Sequence, residues 1–204
     1  MNEREPGEAQ YWMPQSEFLR VLDVVAGSDG VELSFDDGNR TDVDVALPAL
    51  RERNLRATFF PLAGRLDDPM SLGRDDLHEL RAHGMTIGSH GWDHVPWRRL
   101  GPDAVRREFD EARTVLADVA GAPIDLIAAP LGLYERATIR EVRARGYRAL
   151  YTSDRLPARP GTWFQPRYSV TAADTAVTVE GIIGHRSRAR EIRNALASQV
   201  KRRR

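Results

Sequence analysis

The sequence predicts an α/β fold: one domain of mainly parallel strands covered by helices. Three observations carry that reading. Short apolar runs alternate with stretches of helical periodicity along most of the chain. The runs are too apolar to leave one face in water, so both faces need cover. The residues of chemical interest, Asp36, Asp37, His90, His94 and Pro130, stand where these runs end. In folds of this class the C-terminal ends of the strands carry function. A chain of 204 residues is long enough to bury its own core.

Each element has a local cause. Residues 2–10 are polar and belong to an N-terminal stretch, 1–14, expected to be flexible. Ser16 can cap a helix reaching about Ala26, with Phe18, Leu19, Leu22 and Val25 on one face. Residues 27–30, Gly-Ser-Asp-Gly, turn into the first strand, Val31-Glu32-Leu33-Ser34-Phe35-Asp36-Asp37. Gly38 permits a sharp exit from it. Thr41 or Asp42 opens the second helix, and Val43, Ala46, Leu47 and Leu50 keep helical spacing. Asn54 can close that helix, and residues 57–60 form a buried strand. A helix over 75–83 ends at Gly84, and residues 85–88 make the third strand.

The alternation continues. Pro102 begins a helix to about Val119, with Val105, Phe109, Ala112 and Leu116 inward and Gly121 after it. Strands follow at 124–129, 147–152 and 167–170, with a helix over 135–145 between the first two. Residues 177–185 suit a seventh strand ending in His185. They also suit a helix, because Asp174 and Thr175 are good caps. The main domain is expected over 15–185, followed by a basic helical tail, 186–204, read as a solvated helix or a contact for an anionic partner.

Composition excludes several classes. The formal net charge is zero, so no nucleic-acid partner is implied. Without cysteine there is no disulfide, thiolate ligand or thiol nucleophile. No apolar stretch is long enough to span a membrane. Residues 1–6 lack a basic start followed by an apolar run, which leads to an expectation of a cytoplasmic protein. Lys201 is the single lysine.

The chemistry concentrates in two stretches. Neighbouring residues at a strand end point in different directions, so Asp36 and Asp37 can take separate tasks. One can hold a metal while the other handles a proton. Downstream, Gly88-Ser89-His90-Gly91-Trp92-Asp93-His94 places two imidazoles four residues apart, a spacing suited to one cation. Two His and one Asp leave an open position, as catalytic zinc requires. Each stretch alone is weak, since Asp-Asp-Gly is also an ordinary turn.

Together they resemble the polysaccharide deacetylases, the NodB-homology group of carbohydrate esterase family 4, over about residues 18–170. Ser34 to Gly38 match the first motif, Ser/Thr-Phe-Asp-Asp-Gly. His90 and His94 match the second, with Gly91 where the family has a hydroxyl residue. Ala128-Ala129-Pro130-Leu131-Gly132 stands in the place of the third, Arg-x-Pro-x-Gly, with Ala128 for the arginine. Ile183-Gly184-His185 is a possible match to the last, whose His is the family's general acid.

The resemblance implies a distorted (β/α)₇ barrel and metal-assisted removal of an acetyl group from an N-acetylated amino sugar or glycoconjugate. It implies Asp36 as general base, Asp37, His90 and His94 as ligands of a divalent metal, and the Leu131 backbone N–H as oxyanion donor. Zinc suits an Asp-His-His set best. In the family the missing arginine orients the base, and Arg167 is the expected replacement. The alternatives are an amidohydrolase acting on a small cyclic amide and a non-catalytic relative that binds sugar or a partner. Trp92, Tyr134, Tyr151 and Trp163 are candidate rim aromatics for stacking on a sugar. Asp154 lies near the place of a fourth family motif whose context it does not match.

Overall fold

The computed structural model describes residues 7–66, 68–184 and 188–203. Six strands run in sequence order: β1 (Leu33–Asp37), β2 (Ala57–Pro61), β3 (Thr86–Ile87), β4 (Leu126–Ala128), β5 (Ala149–Thr152) and β6 (Phe164–Pro166). They form two parallel three-stranded sheets, β1-β2-β3 and β4-β5-β6. A single parallel bridge, Ser89 to Ile127, joins the sheets just beyond β3. Among the described residues the strands do not close into a barrel.

Helix α1 (Gln15–Ala26) precedes β1, and between the strands come α2 (Leu47–Glu52), α3 (Arg74–Ala82), α4 (Pro102–Arg106), α5 (Ala112–Ala120) and α6 (Arg136–Ala144). Their apolar faces supply the core. Leu22, Leu47, Leu50, Leu77, Leu80 and Leu116 gather with Phe59 in one cluster, and Trp97, Phe109, Ile127, Tyr134 and Leu150 in a second. Phe60, Leu126 and Ala128 fill the space between the two sheets, and Tyr151 lies tilted on Phe60 with ring centroids 5.0 Å apart.

One open choice is decided here and two expectations are corrected. Residues 177–184 are helical: α7 (Ala176–Gly184) takes the place of the seventh strand. The cause is local, because Thr175 and Thr178 cap each other's backbone N–H at 3.3 and 2.7 Å. His185 lies outside the described residues. Second, β6 ends at Pro166, so Arg167 follows the strand instead of opening it. Its backbone is still tied on both sides, through Arg167 N–H to the Thr152 carbonyl at 2.7 Å and Arg155 N–H to the Arg167 carbonyl at 2.9 Å.

Third, the basic tail is docked. Helix α8 (Arg188–Arg203) buries Ser198, and Asn194 donates to the Arg155 carbonyl at 3.0 Å. At the other end of the chain, residues Glu8–Tyr11 form a short turn, and Gln10 accepts a 2.6 Å bond from Ala172.

Candidate active site

The site begins with how β1 ends. Asp36 and Asp37 close the strand in register with Phe60 and Pro61 of β2. Asp37 has φ 73° and Gly38 φ 71°, so the chain leaves the sheet through two left-handed residues. A Cβ on Gly38 would stand 2.7 Å from Pro61, which leaves room for glycine alone.

His90 arrives from β3. Its N–H donates at 2.9 Å to the carbonyl of Pro61, the register partner of Asp37. The ring is 2% exposed, and Nδ1 lies 3.0 Å from the Ala128 carbonyl. A carbonyl only accepts, so Nδ1 carries the proton and Nε2 presents a lone pair. Burial first, partly offset by the charges of Asp36 and Asp37, lowers the His90 pKa and favours the neutral ring. His94 follows one loop later with φ 57°, its ring 5.3 Å from that of His90.

Asp37 faces both imidazoles. Its Oδ1 is 3.5 Å from His90 Nε2 and 3.4 Å from His94 Nε2. That oxygen is buried with no hydrogen-bond partner. One ligand atom from each of the three residues falls within 4.8 Å of the others. A carboxylate oxygen facing the lone pair of a neutral imidazole is repulsive unless a cation lies between them. The donor set therefore fits a divalent metal.

Asp36 is held differently. Arg167 grips it with both ends of its fork, Nη1 to Oδ1 at 2.7 Å and Nη2 to Oδ2 at 2.8 Å, and Nη1 also donates to Ser34 Oγ at 2.7 Å. The guanidinium carbon lies 5.4 Å from the ring centre of Phe60 and 5.7 Å from that of Tyr151. Burial alone would raise the Asp36 pKa. The charge of Arg167, together with its hydrogen bonds, outweighs it and holds the carboxyl below its usual value. Asp36 thus stays an ionised acceptor with a fixed direction.

Leu131 sits in a short turn, Pro130–Gly132, that leaves β4 two residues after the carbonyl holding His90. Its φ is 57° and its side chain is 51% exposed. Asp37, His94 and Leu131 are three of the six non-glycine residues with positive φ among those described. Such backbone costs about 1–3 kcal/mol per residue and persists where the surroundings enforce it.

Two buried carboxyls at the site are not legible from sequence. Glu108, 1% exposed, accepts from the N–H groups of Trp92 and Asp93 at 2.9 and 3.1 Å and from Trp97 Nε1 at 3.2 Å. It stands in a widened turn, Arg107–Glu111, between α4 and α5 and pins the loop joining His90 to His94. Gly91 now has a physical reason. It has φ 84°, and a Cβ there would lie 2.2 Å from Glu108 Oε2. Gly91→Ser is expected to lower folding stability by about 1–3 kcal/mol, measurable by denaturant unfolding. Asp42, 5% exposed, is the second. Burial and then the charge of Asp37 push its carboxyl well above the usual range. It opens the helical stretch as expected, in a widened turn, Asp42–Ala46, that runs into α2.

The candidate aromatics separate. Trp92 anchors its loop: its carbonyl accepts from Gly64 N–H at 3.2 Å, and Arg107 covers its ring at 4.5 Å. Tyr134 is fully buried, so it is no rim aromatic. Trp163 Nε1 is committed to the Tyr147 carbonyl at 2.8 Å. Of the four, Tyr151 alone stands beside the Asp36–Arg167 pair.

Comparison with known proteins gives a consistent set. A family model described as polysaccharide deacetylase matches residues 24–150. Two Bacillus subtilis (strain 168) proteins provisionally named polysaccharide deacetylases, YxkH and YheN, are 25% identical over 124 residues and 29% identical over 120. These matches cover 61% and 57% of this chain but 44% and 40% of the relatives, so the chain spans less than half their length. The solved Streptococcus pyogenes deacetylase PplD, in complex with acetate, superposes with a TM-score of 0.77 at 18% identity, covering 89% of this chain and 93% of that one. IcaB from Ammonifex degensii gives 0.72 at 22% identity, covering 90% and 92%. At these identities the structural likeness is one of fold.

Proposed function

The chain belongs to the polysaccharide deacetylase family, and from that premise we propose that it is a metal-dependent hydrolase that removes an acetyl group from an N-acetylated amino sugar or glycoconjugate. The observation that carries the reading is the division of labour between two adjacent carboxylates. Asp37 faces two imidazoles, whereas Asp36 is turned onto Arg167. A carboxylate committed to a metal ion has given up the lone pair a proton needs, so base and ligand have to be different groups.

Asp37, His90 and His94 would hold the ion, which we take to be zinc. When bound, it supplies Lewis acidity toward the acetyl carbonyl and the attacking water, whose pKa falls toward about 7. Asp36 takes the proton that the water loses as its oxygen bonds to the acetyl carbon. Arg167 keeps Asp36 ionised and aimed. The Leu131 N–H donates to the oxyanion that forms, a task indifferent to its side chain. Asp36 returns that proton to the amine nitrogen as the C–N bond breaks, and acetate and the free amino sugar leave. Ala128 has no side-chain donor, and Arg167, just past β6, supplies two to the Asp36 carboxylate.

Acetate release from a panel of N-acetylated amino sugars, oligosaccharides and glycoconjugates tests the proposal. Activity should vanish with a chelator and return with zinc. Release of no acetate by the zinc-loaded protein, together with opening of a small cyclic amide, would favour the amidohydrolase reading.

A further inference from the structure

Helix α8 lies outside the stretch matched by the family model, yet it reaches the turn that carries Leu131. Lys201 Nζ donates to the Gly132 carbonyl at 3.1 Å and to Asp154 Oδ1 at 2.6 Å. The Asp154 side chain is 2% exposed, and its other oxygen accepts from Tyr134 Oη at 2.5 Å, Ser198 Oγ at 2.9 Å and Thr152 Oγ1 at 3.1 Å. Four donors therefore converge on this one carboxylate. A solvated basic tail has no need of such a centre, because burying a carboxylate and an ammonium together costs more than leaving both in water unless the geometry repays it.

What the centre holds is the Pro130–Gly132 turn. Leu131 and Gly132 both have left-handed backbone, at φ 57° and 61°. A non-glycine residue relaxes from that region unless its neighbours are fixed. The Gly132 N–H bonds to the Ala129 carbonyl at 3.1 Å, and the Gly132 carbonyl is the atom Lys201 takes. Gly132 is therefore held at its N–H by the Ala129 carbonyl, just past β4, and at its carbonyl by α8. Lys201 also lies 5.3 Å from the centre of the Tyr134 ring, and Arg202 lies 3.7 Å from that of Phe164. Tyr134 and Phe164 are in edge-on contact, which seats the end of the helix.

We propose that Lys201 is a positioning residue: α8 clamps the Pro130–Gly132 turn through Lys201 and Asp154, and so fixes the direction of the Leu131 N–H toward the substrate's acetyl oxygen. The inference rests on the deacetylase reading for its catalytic consequence. The clamp itself is testable without it.

The test uses Lys201→Met, which keeps the length of the stem and removes the donor, and Ser198→Ala as a milder companion. Losing one oxyanion donor outright costs about 10²–10³ in kcat, and loosening its direction should cost about a tenth of that. In Lys201→Met we expect kcat to fall about tenfold or more, with KM and zinc content unchanged and faster amide exchange at Gly132 and Leu133. Unchanged kcat in folded protein would overturn the proposal, as would a fall in kcat matched by a general loss of exchange protection. Because Lys201 is the single lysine, [¹⁵N]lysine labelling gives one ammonium signal in the native chain. That signal should shift when acetate is titrated into the zinc-loaded protein, and its failure to move would overturn the coupling even if Lys201→Met does not fold. If the native protein releases acetate from no substrate, the deacetylase reading fails. Equal exchange rates at Gly132 in the native, Lys201→Met and Ser198→Ala proteins would then overturn the clamp separately.

Discussion

Asp36→Asn is expected to lower kcat about 10²–10⁴-fold while leaving the metal content unchanged. The amide keeps the shape of the carboxylate and can still meet Arg167, but it cannot take a proton. Asp36 and Asp37 are chemically identical neighbours, so position alone distinguishes them. Asp36 lies on the guanidinium at 2.7 and 2.8 Å, and Asp37 lies on the imidazoles at 3.4 and 3.5 Å. Metal analysis of the variant checks the assignment beside its kinetics. Loss of metal in Asp36→Asn would mean that the two aspartates are exchanged in role.

Arg167→Ala is expected to lower kcat by about tenfold to a hundredfold, with a much smaller change in KM, because loose placement of a catalytic group costs rate before it costs binding. The guanidinium is 16% exposed and makes three hydrogen bonds at the rim, two to Asp36 and one to Ser34. Removing it frees the carboxylate to rotate and takes away the charge that offsets its burial. Arg167→Lys should recover little of the loss, since an ammonium cannot hold both oxygens in one plane. Steady-state kinetics on both variants check this, and a rise in KM at constant kcat would assign Arg167 to substrate binding instead.

The residues differ in how readable they are. The end of β1 is legible because the signal is local: an apolar run stopped by two carboxylates and a glycine specifies a strand and its exit. His90 and His94 are legible by spacing. A cation near Asp36 can be anticipated because Ala128 removes the expected one, but its contact depends on the residue after β6 reaching the end of β1, which only the folded chain supplies. Glu108 and Asp42 are illegible for the opposite reason. A glutamate on a helix and an aspartate at a helix start read as solvated or capping groups, and burial comes from distant residues. Residues 177–184 could satisfy a strand or a helix, and the paired Thr175 and Thr178 caps decide the matter locally. Lys201 looks like one more charge in a basic tail until Asp154, 47 positions away, receives it.

The central claim is that Asp37, His90 and His94 form one metal centre, and elemental analysis of the purified chain tests it most directly. Native protein prepared without chelator and reconstituted with zinc should hold one ion per chain. Folded His90→Ala should hold close to none, because a site of three protein ligands loses one donor and the lone pair that faces Asp37 Oδ1. Equal metal content in the two proteins would contradict the account.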